Sequence, residues 1–589
     1  MSNKFFLVTT ALHESWQKSS DVPILLLGEW CRLFSKKKEW QNCNITVVPY
    51  HWDNRRKLYK DLIYINKLYQ KLLSHLTIFL NKYHSTQHQM EYWRIIIGPW
   101  LSAFIVSLYD KWESINYALN NFNIEETLII ESENSEYVPV CMKHFDILSK
   151  SDYWNHSIFS EILIFLGFNK INKLKVNKPR KISVQEKRET PKNKLKNMIS
   201  KATSLFSRKN DYFFIDTFLK PLDVLKLYLK LRQVPNLHWN NNLRIRSQFD
   251  CQKRLKIKSF NPQNKFEEFL KKIIPLQLPI AYCEGFKEIY PIAEKKYRTK
   301  SPKVIWTSNS FSDDDVFKVW VAEKVEKNNS ILVIGQHGGH YGQGLFSLTE
   351  DHELKISALY LSWGWTLGHN NVIPFGRLKR KVCYDNSSNA LKMVLSLSGT
   401  PRYVEGIISA PLSSQWLIYY KWQEKFYECL ENQVSKATVV RLYPNDYDWY
   451  QKKRWVKSFP DAIIDNGNES LEDCLETTKL FVSGWNSTTY LESLAANIPT
   501  VIFWDEEYFE MNSDASSFFS LLEEAGIYHK TPESAAAHVN SIWNDIDGWW
   551  QSNQVVNARK IFTNQYIKTN NTIDDLKNLF IELCKTKSS

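Results

Sequence analysis

Residues 479–504, KLFVSGWNSTTYLESLAANIPTVIFW, put small hydroxyl and amide side chains where an apolar run hands over to a helix. Leu480 to Ser483 reads as a buried strand ending at Gly484. Asn486, Ser487 and Thr488 then supply N-cap chemistry, Tyr490 to Ala496 continue as helix, and Thr500 to Trp504 return as strand after Pro499. A helix start carries unpaired N–H groups and the positive end of the helix dipole, so such a junction can hold a phosphate without a lysine. Glu492, one turn further in, is placed to accept hydrogen bonds from ribose hydroxyls. The same pattern also fits the plain N-cap of any α/β unit.

A second block, ILVIGQHGGHYGQG (331–344), leaves a strand at Gly335 and enters a loop in which Gly338, Gly339, Gly342 and Gly344 let the backbone approach a ligand. His337 and His340 are presented there. An imidazole in such a loop can exchange a proton near neutral pH or donate to a departing phosphate, and it can also be a structural part of the loop. Two histidines without a third ligand do not make a metal site, and no metal or cofactor is expected.

Two further blocks end strands near the N-terminus. LLLGEWC (25–31) sets Glu29 after a strand and a glycine, where a carboxylate can take the proton of an acceptor hydroxyl. VVPYHWDNRR (47–56) groups His51, Asp53, Asn54 and Arg55 at a strand end and helix start; His51 is the alternative base, Asn54 and Arg55 are candidate acceptor contacts, and Asp53 or Asn54 also fits an N-cap. Arg441, in RLYPNDYDW, follows a later strand and can pair with a phosphate, while Asp446 fits a turn. His352 and Glu353 are further candidates for a cleft, and Trp363 and Trp365 read as core. Asp313 to Asp315 is the nearest approach to a metal-binding acidic triplet, and it fits the acidic first turn of a helix over 314–325 better. Neither a GxxxxGK[ST] loop nor a GxSxG elbow occurs, which leaves kinase and esterase readings without their motifs.

These residues need an α/β frame. Short apolar runs at Phe5–Ala11, Pro23–Leu27 and Asn44–Pro49 have the pattern of parallel strands buried on both faces, followed by helical segments over 54–80 and 89–120. From residue 406 onward strand and helix alternate, with strands predicted at Gly406–Ala410, Thr438–Leu442, Ala462–Ile464, Leu480–Ser483 and Thr500–Trp504. The fold class is α/β, with two Rossmann-like doubly wound domains: residues 1–385 as an acceptor domain enlarged by helical insertions, 386–570 as a nucleotide-donor domain, and 571–589 as a C-terminal tail.

The chain has 589 residues, 43% of them hydrophobic, and nine scattered cysteines without a CxxC pair, which fits a reducing compartment. The net charge of +13 is concentrated: residues 171–210 hold thirteen Lys or Arg against Glu186 and Glu189. Few aromatic rings are interleaved with that charge, which argues against a nucleic-acid groove and leaves a solvated insertion or an anionic membrane surface as its partner. The longest uncharged apolar stretch, Ile95 to Tyr109, is broken by Gly98-Pro99 and is too short to span a bilayer. A cytoplasmic protein, peripheral at most to the inner face of the membrane, is expected.

The blocks FLVTTAL, LLLGEWC, VVPYHWDNR, YWRIIIGPWL, GQHGGHYG, YLSWGW and NSTTYLESLAANIPTVIFW together resemble a family of bacterial transferases associated with O-antigen and other surface-polysaccharide gene clusters, from about residue 5 to residue 568. More broadly the HGG loop and the Ser-Thr…Glu…Pro block are similar to GT-B glycosyltransferases, near those that transfer 3-deoxy-octulosonic acid and glycerol phosphate from CMP- or CDP-linked donors. The resemblance implies a metal-independent glycosyl transfer to a lipid-linked or glycan acceptor, with His337 and the Ser487–Thr488 helix start serving the donor phosphate. It lacks the second acidic residue upstream of Glu492 that nucleotide-sugar enzymes pair at the ribose, which favours a CMP-type donor. A non-catalytic scaffold that binds a nucleotide or glycan is the alternative.

Overall fold

The computed structural model describes residues 4–586 except 17–21, 132–135, 176–197, 199–205, 207, 209, 237–242, 256–259, 298–300 and 378–391. Most of the basic insertion and the expected boundary at 385/386 lie outside the described residues.

Three sheets, all parallel, carry the chain, one more than the two units expected. The first holds β1 (Lys4–Val8), β2 (Ile24–Leu26), β3 (Ile45–Val47), β4 (Asn123–Glu131) and β5 (Ile171–Lys175) in the order β3-β2-β1-β4-β5. The start of the basic segment is therefore its edge strand. The second holds β6 (Phe213–Phe214), β7 (Val304–Thr307), β8 (Ile331–Gly335), β9 (Leu359–Leu361) and β10 (Val372–Ile373), and these lie side by side in chain order. The third holds β11 (Lys392–Ser396), β12 (Thr438–Arg441), β13 (Ile463–Asp465), β14 (Thr478–Ser483), β15 (Thr500–Phe503) and β16 (Tyr528–His529) in the order β13-β12-β11-β14-β15-β16. The first and third are doubly wound. The second is wound one way.

Eight helices matter for the site: α1 (Arg55–His84), α2 (Met90–Asn121), α3 (Asp315–Asn328), α4 (Leu348–Ile356), α5 (Trp416–Glu428), α6 (Thr488–Ala495), α7 (Asn553–Tyr566) and α8 (Ile573–Thr586). The helix expected over 89–120 forms as α2, which runs through Pro99 and is mostly buried along its length. Its length and composition would suit a membrane span, yet 78% of its apolar window is buried against the rest of the molecule, including α1 and α3. Asp314 caps α3 by accepting from the Phe317 amide (3.0 Å), the role foreseen for the acidic triplet.

Winding one way has a structural cost. Right-handed crossovers between neighbouring parallel strands fall on one face of a sheet, so the opposite face needs separate cover. On the second sheet that face presents Phe214, Val304, Trp306, Val333 and Leu361, and it is closed by the helix Pro221–Lys230 and by α8, whose Leu576 and Phe580 are completely buried. The segment expected as a C-terminal tail is thus a core element. In the third sheet the predicted strand at Gly406–Ala410 contributes only an isolated antiparallel bridge, Ile408 to Ser347, and the central strand is β11, just past the expected boundary.

Ion pairs lock the first sheet to the third. Arg402 donates to Asp152 (Nη2 to Oδ2, 2.8 Å) and to the Trp30 carbonyl (2.7 Å), and Arg55 reaches Glu510 with two N–H groups (2.7 and 2.9 Å).

Candidate active site

In an open parallel sheet, ligands gather beyond the carboxyl ends of the strands where strand order reverses. In the third sheet this point lies between β11 and β14, and the loop after β14 is Gly484–Ser487, leading into α6. Ser487 is the N-cap, but its side chain makes no cap bond and lies 3.2 Å from Thr489 Oγ1. The first turn of α6 is therefore left without a side-chain acceptor, as a phosphate-binding helix start requires.

The second sheet faces this helix with its own carboxyl edge. The loop after β8 is held from both sides: Gln336 Oε1 accepts from the Trp363 amide and the Trp365 indole (both 2.8 Å), and Gln336 Nε2 donates to the Gly338 carbonyl (2.8 Å). Tyr490 of α6 donates to Gln343 Oε1 (2.6 Å), and Gln343 Nε2 donates to the Gly339 carbonyl (2.9 Å). Gly339 lies against the Ser487–Thr488 peptide so closely that a Cβ would stand 2.4 Å from Ser487 backbone atoms. Gly342 turns with φ of +71°, a conformation that suits glycine.

Between these walls is a cavity of about 230 Å³, lined by residues that follow every strand of the second sheet together with Thr488 and Glu492 of α6. His337 enters it. Burial pushes this imidazole down to about 4, so the ring is neutral near pH 7. Its Nδ1 is fully buried, 3.4 Å from Glu353 Oε1 but not aligned for a hydrogen bond. Its Nε2 lies 3.5 Å from the Tyr341 hydroxyl. Glu353 is itself sealed from solvent, accepts from Tyr341 (2.7 Å) and Tyr360 (3.1 Å), and burial holds its pKa well above the carboxylate range. The imidazole is thus backed by a buried carboxyl group whose charged form burial disfavours. Glu492 is ion-paired across the cavity with Arg377, which follows β10 and whose guanidinium sits 5.4 Å from the Trp363 ring centroid. Trp306 also lines the cavity, and its buried indole N–H has no partner among the described residues.

The structure brings together His337, Thr488 and Glu492, with Gly338, Gly339, Asn486 and Ser487 forming the seam beside them. Asn486 Oδ1 lies 3.3 Å from the Tyr490 hydroxyl. His340 turns inward to Ser347 Oγ (3.3 Å), and burial lowers its pKa to about 3. The remaining candidates lie elsewhere. Arg441 pairs with Asp465 and donates to the Glu469 carbonyl (2.5 Å). Glu29 accepts from Arg32 Nε (2.8 Å) and lines a different, larger cavity. His51 is buried with Nε2 3.1 Å from Asp110 Oδ1. Asn54 caps α1 through the Lys57 amide (3.0 Å), and Arg55 is fully engaged by Glu510 and by Gln415 (3.0 Å). Sequence reasoning missed Arg377, Gln336, Gln343 and Trp306. Gln343 and Gln336 stand inside the glycine-rich block itself, so its polar residues were the available signal.

Among solved structures, the chain is similar to Anabaena Alr3699/HepE in complex with UDP and glucose (11% identity, 64% of this chain and 100% of that one, TM-score 0.35). It is also similar to the wall teichoic acid polymerase TagF (11%, 51% and 86%, TM-score 0.29) and to S. aureus MnaA with UDP (12%, 61% and 93%, TM-score 0.33). No curated protein matches it in sequence. A family model described as the LIC12162 family transferase matches residues 5–580, nearly the whole chain. With a family match of that extent, the chain belongs to the LIC12162 family of transferases.

Proposed function

We propose that this transferase moves a glycosyl group from a nucleotide-activated donor held in the His337 cavity. The observation that carries the reading is the convergence, at the facing edges of two parallel sheets, of an uncapped helix start, an Arg–Glu pair and a neutral histidine. In it the donor phosphate lies against the first turn of α6 and Arg377, and Glu492 accepts from ribose hydroxyls. The anomeric C–O bond to phosphate breaks as the bond to the acceptor oxygen forms, the proton of the acceptor hydroxyl is released to water, and the neutral His337 ring donates a hydrogen bond to the phosphate as charge builds on it. Glu29 and His51, read from the sequence as bases for the acceptor, lie outside this cavity, so the proposal rests on the donor side. A CMP-type donor, a surface-polysaccharide acceptor and a place at the inner face of the cytoplasmic membrane belong to the same proposal, supported by the sequence resemblance.

The test is thermal denaturation of the protein with CMP, CDP, UDP and GDP, alongside a Ser487→Ala/Thr488→Ala variant. One nucleotide should raise the melting temperature, by about 2.7 kcal/mol of stabilisation at one hundred times its Kd, and the variant should weaken that rise. No rise with any of the four removes the donor site, and the scaffold reading takes its place.

A further inference from the structure

The larger cavity, of about 640 Å³, opens where the carboxyl ends of β2 and β3 face α5 and the helix Gln451–Ser458. Its lining includes five cations, Arg32, Lys37, Lys421, Arg454 and Lys457, against three carboxylates. Those carboxylates are occupied: Glu29 holds Arg32, Asp53 accepts from Gln415 (3.0 Å), and Glu424 accepts from Ser458 (2.6 Å).

The other four cations form no ion pair with a described residue. Lys37 and Lys457 stand side by side, and the neighbouring ammonium pushes the Lys37 pKa down. Arg454 lies over the face of Phe34 (4.5 Å to the ring centroid), with Lys457 5.8 Å from the same ring, and the Arg454 Nε is fixed on the Trp449 carbonyl (2.7 Å). Like charges brought together on an aromatic platform repel unless an anion stands between them, and the arrangement is organised before that anion arrives. A single carboxylate needs one such partner; two ammonium groups and a guanidinium suit the several oxygens and charges of a phosphate or diphosphate.

We infer that the cavity on the first sheet is a second binding site, for a phosphorylated ligand, separate from the His337 cavity and centred on Lys37, Arg454 and Lys457. Trp40 and Tyr50 line its remaining wall.

Acetylation of individual lysines in the full-length protein, read by peptide mass spectrometry with and without inorganic pyrophosphate, tests this site locally. At ten times its half-saturating concentration, pyrophosphate should slow labelling of Lys37 and Lys457 about tenfold and leave exposed Lys436 unchanged. Protection should persist in the Ser487→Ala/Thr488→Ala variant, which alters only the other cavity. Lys457→Gln, at an exposed position, should weaken protection of Lys37 and slow its labelling in the absence of ligand by removing the adjacent charge. A sugar 1-phosphate that protects below the pyrophosphate concentration identifies a glycan phosphate as the source; pyrophosphate protecting as well or better identifies a free diphosphate. Labelling of Lys37 and Lys457 that neither ligand changes, or protection lost only in the Ser487→Ala/Thr488→Ala variant, overturns the assignment.

Discussion

His337 shows what burial does to a catalytic candidate. Ordinary imidazoles change charge near 6.5, whereas this one, desolvated by burial, keeps its neutral form down to about 4. Between pH 5 and 7 kcat/KM should therefore show no ionisation belonging to His337, since below about 4, and not below 6.5, the ring takes its proton. His337→Ala should lower kcat on the order of a hundredfold or more. A limb near 6.5 that the substitution abolishes would contradict the neutral ring. The histidine and the hydroxyl pair were legible in the sequence because glycine-rich loops and helix starts are local signals. Arg377 was not, since it lies in the run GRLKRK, where a site cation is indistinguishable from solvated charge. Glu29 and His51 carry the same strand-end signature as His337, but which sheet a strand joins is a non-local property, and theirs is the first sheet.

At the scale of elements, the seam between the β8 loop and α6 depends on the close approach of two backbones. Gly339→Ala would drive a methyl group to 2.4 Å from the Ser487 carbonyl carbon and oxygen, which are backbone atoms that cannot swing aside. The loop or the helix must move, and the Tyr490–Gln343 bond that ties them should break. The expected result is loss of nucleotide-induced stabilisation together with increased amide exchange across residues 336–347 and 484–490. Unchanged exchange in that variant would show the seam to be tolerant. Most elements near this seam could be read from hydrophobic runs and caps: β8, β14, β15 and α6 fall within a residue or two of their predicted places. Strand β11 was missed because KMVLS is short and adjoins the expected boundary, although it holds the middle of the third sheet.

At the scale of the molecule, the three sheets are joined by a helix and an ion-pair seam rather than strung as separate beads. Sequence periodicity announced parallel α/β units but not their number, because five short strands before residue 180 and five between 213 and 373 look alike in a one-dimensional pattern. The closure by α8 reaches the His337 cavity: Phe580 lies 5.3 Å from Phe214 and 5.5 Å from Trp306, ring centre to ring centre, and Trp306 forms part of the cavity wall. Phe580→Ala should cost about 3–5 kcal/mol and weaken nucleotide binding as the indole loses its backing. Calorimetry beside the nucleotide titration checks both, and an unchanged affinity would separate the two roles.

That closure also fixes an order of events at the ribosome. The last strand of the second sheet is made by residue 373, but the second of the two helices that cover its other face ends at residue 586. At cellular rates of elongation the middle of the protein waits on the order of tens of seconds, that face covered only by the helix Pro221–Lys230, while the third sheet is synthesised and folds. Nascent chains should accordingly be clients of holding chaperones until α8 has emerged and docked, and Trp306 in the wall of the His337 cavity lacks its Phe580 backing until then.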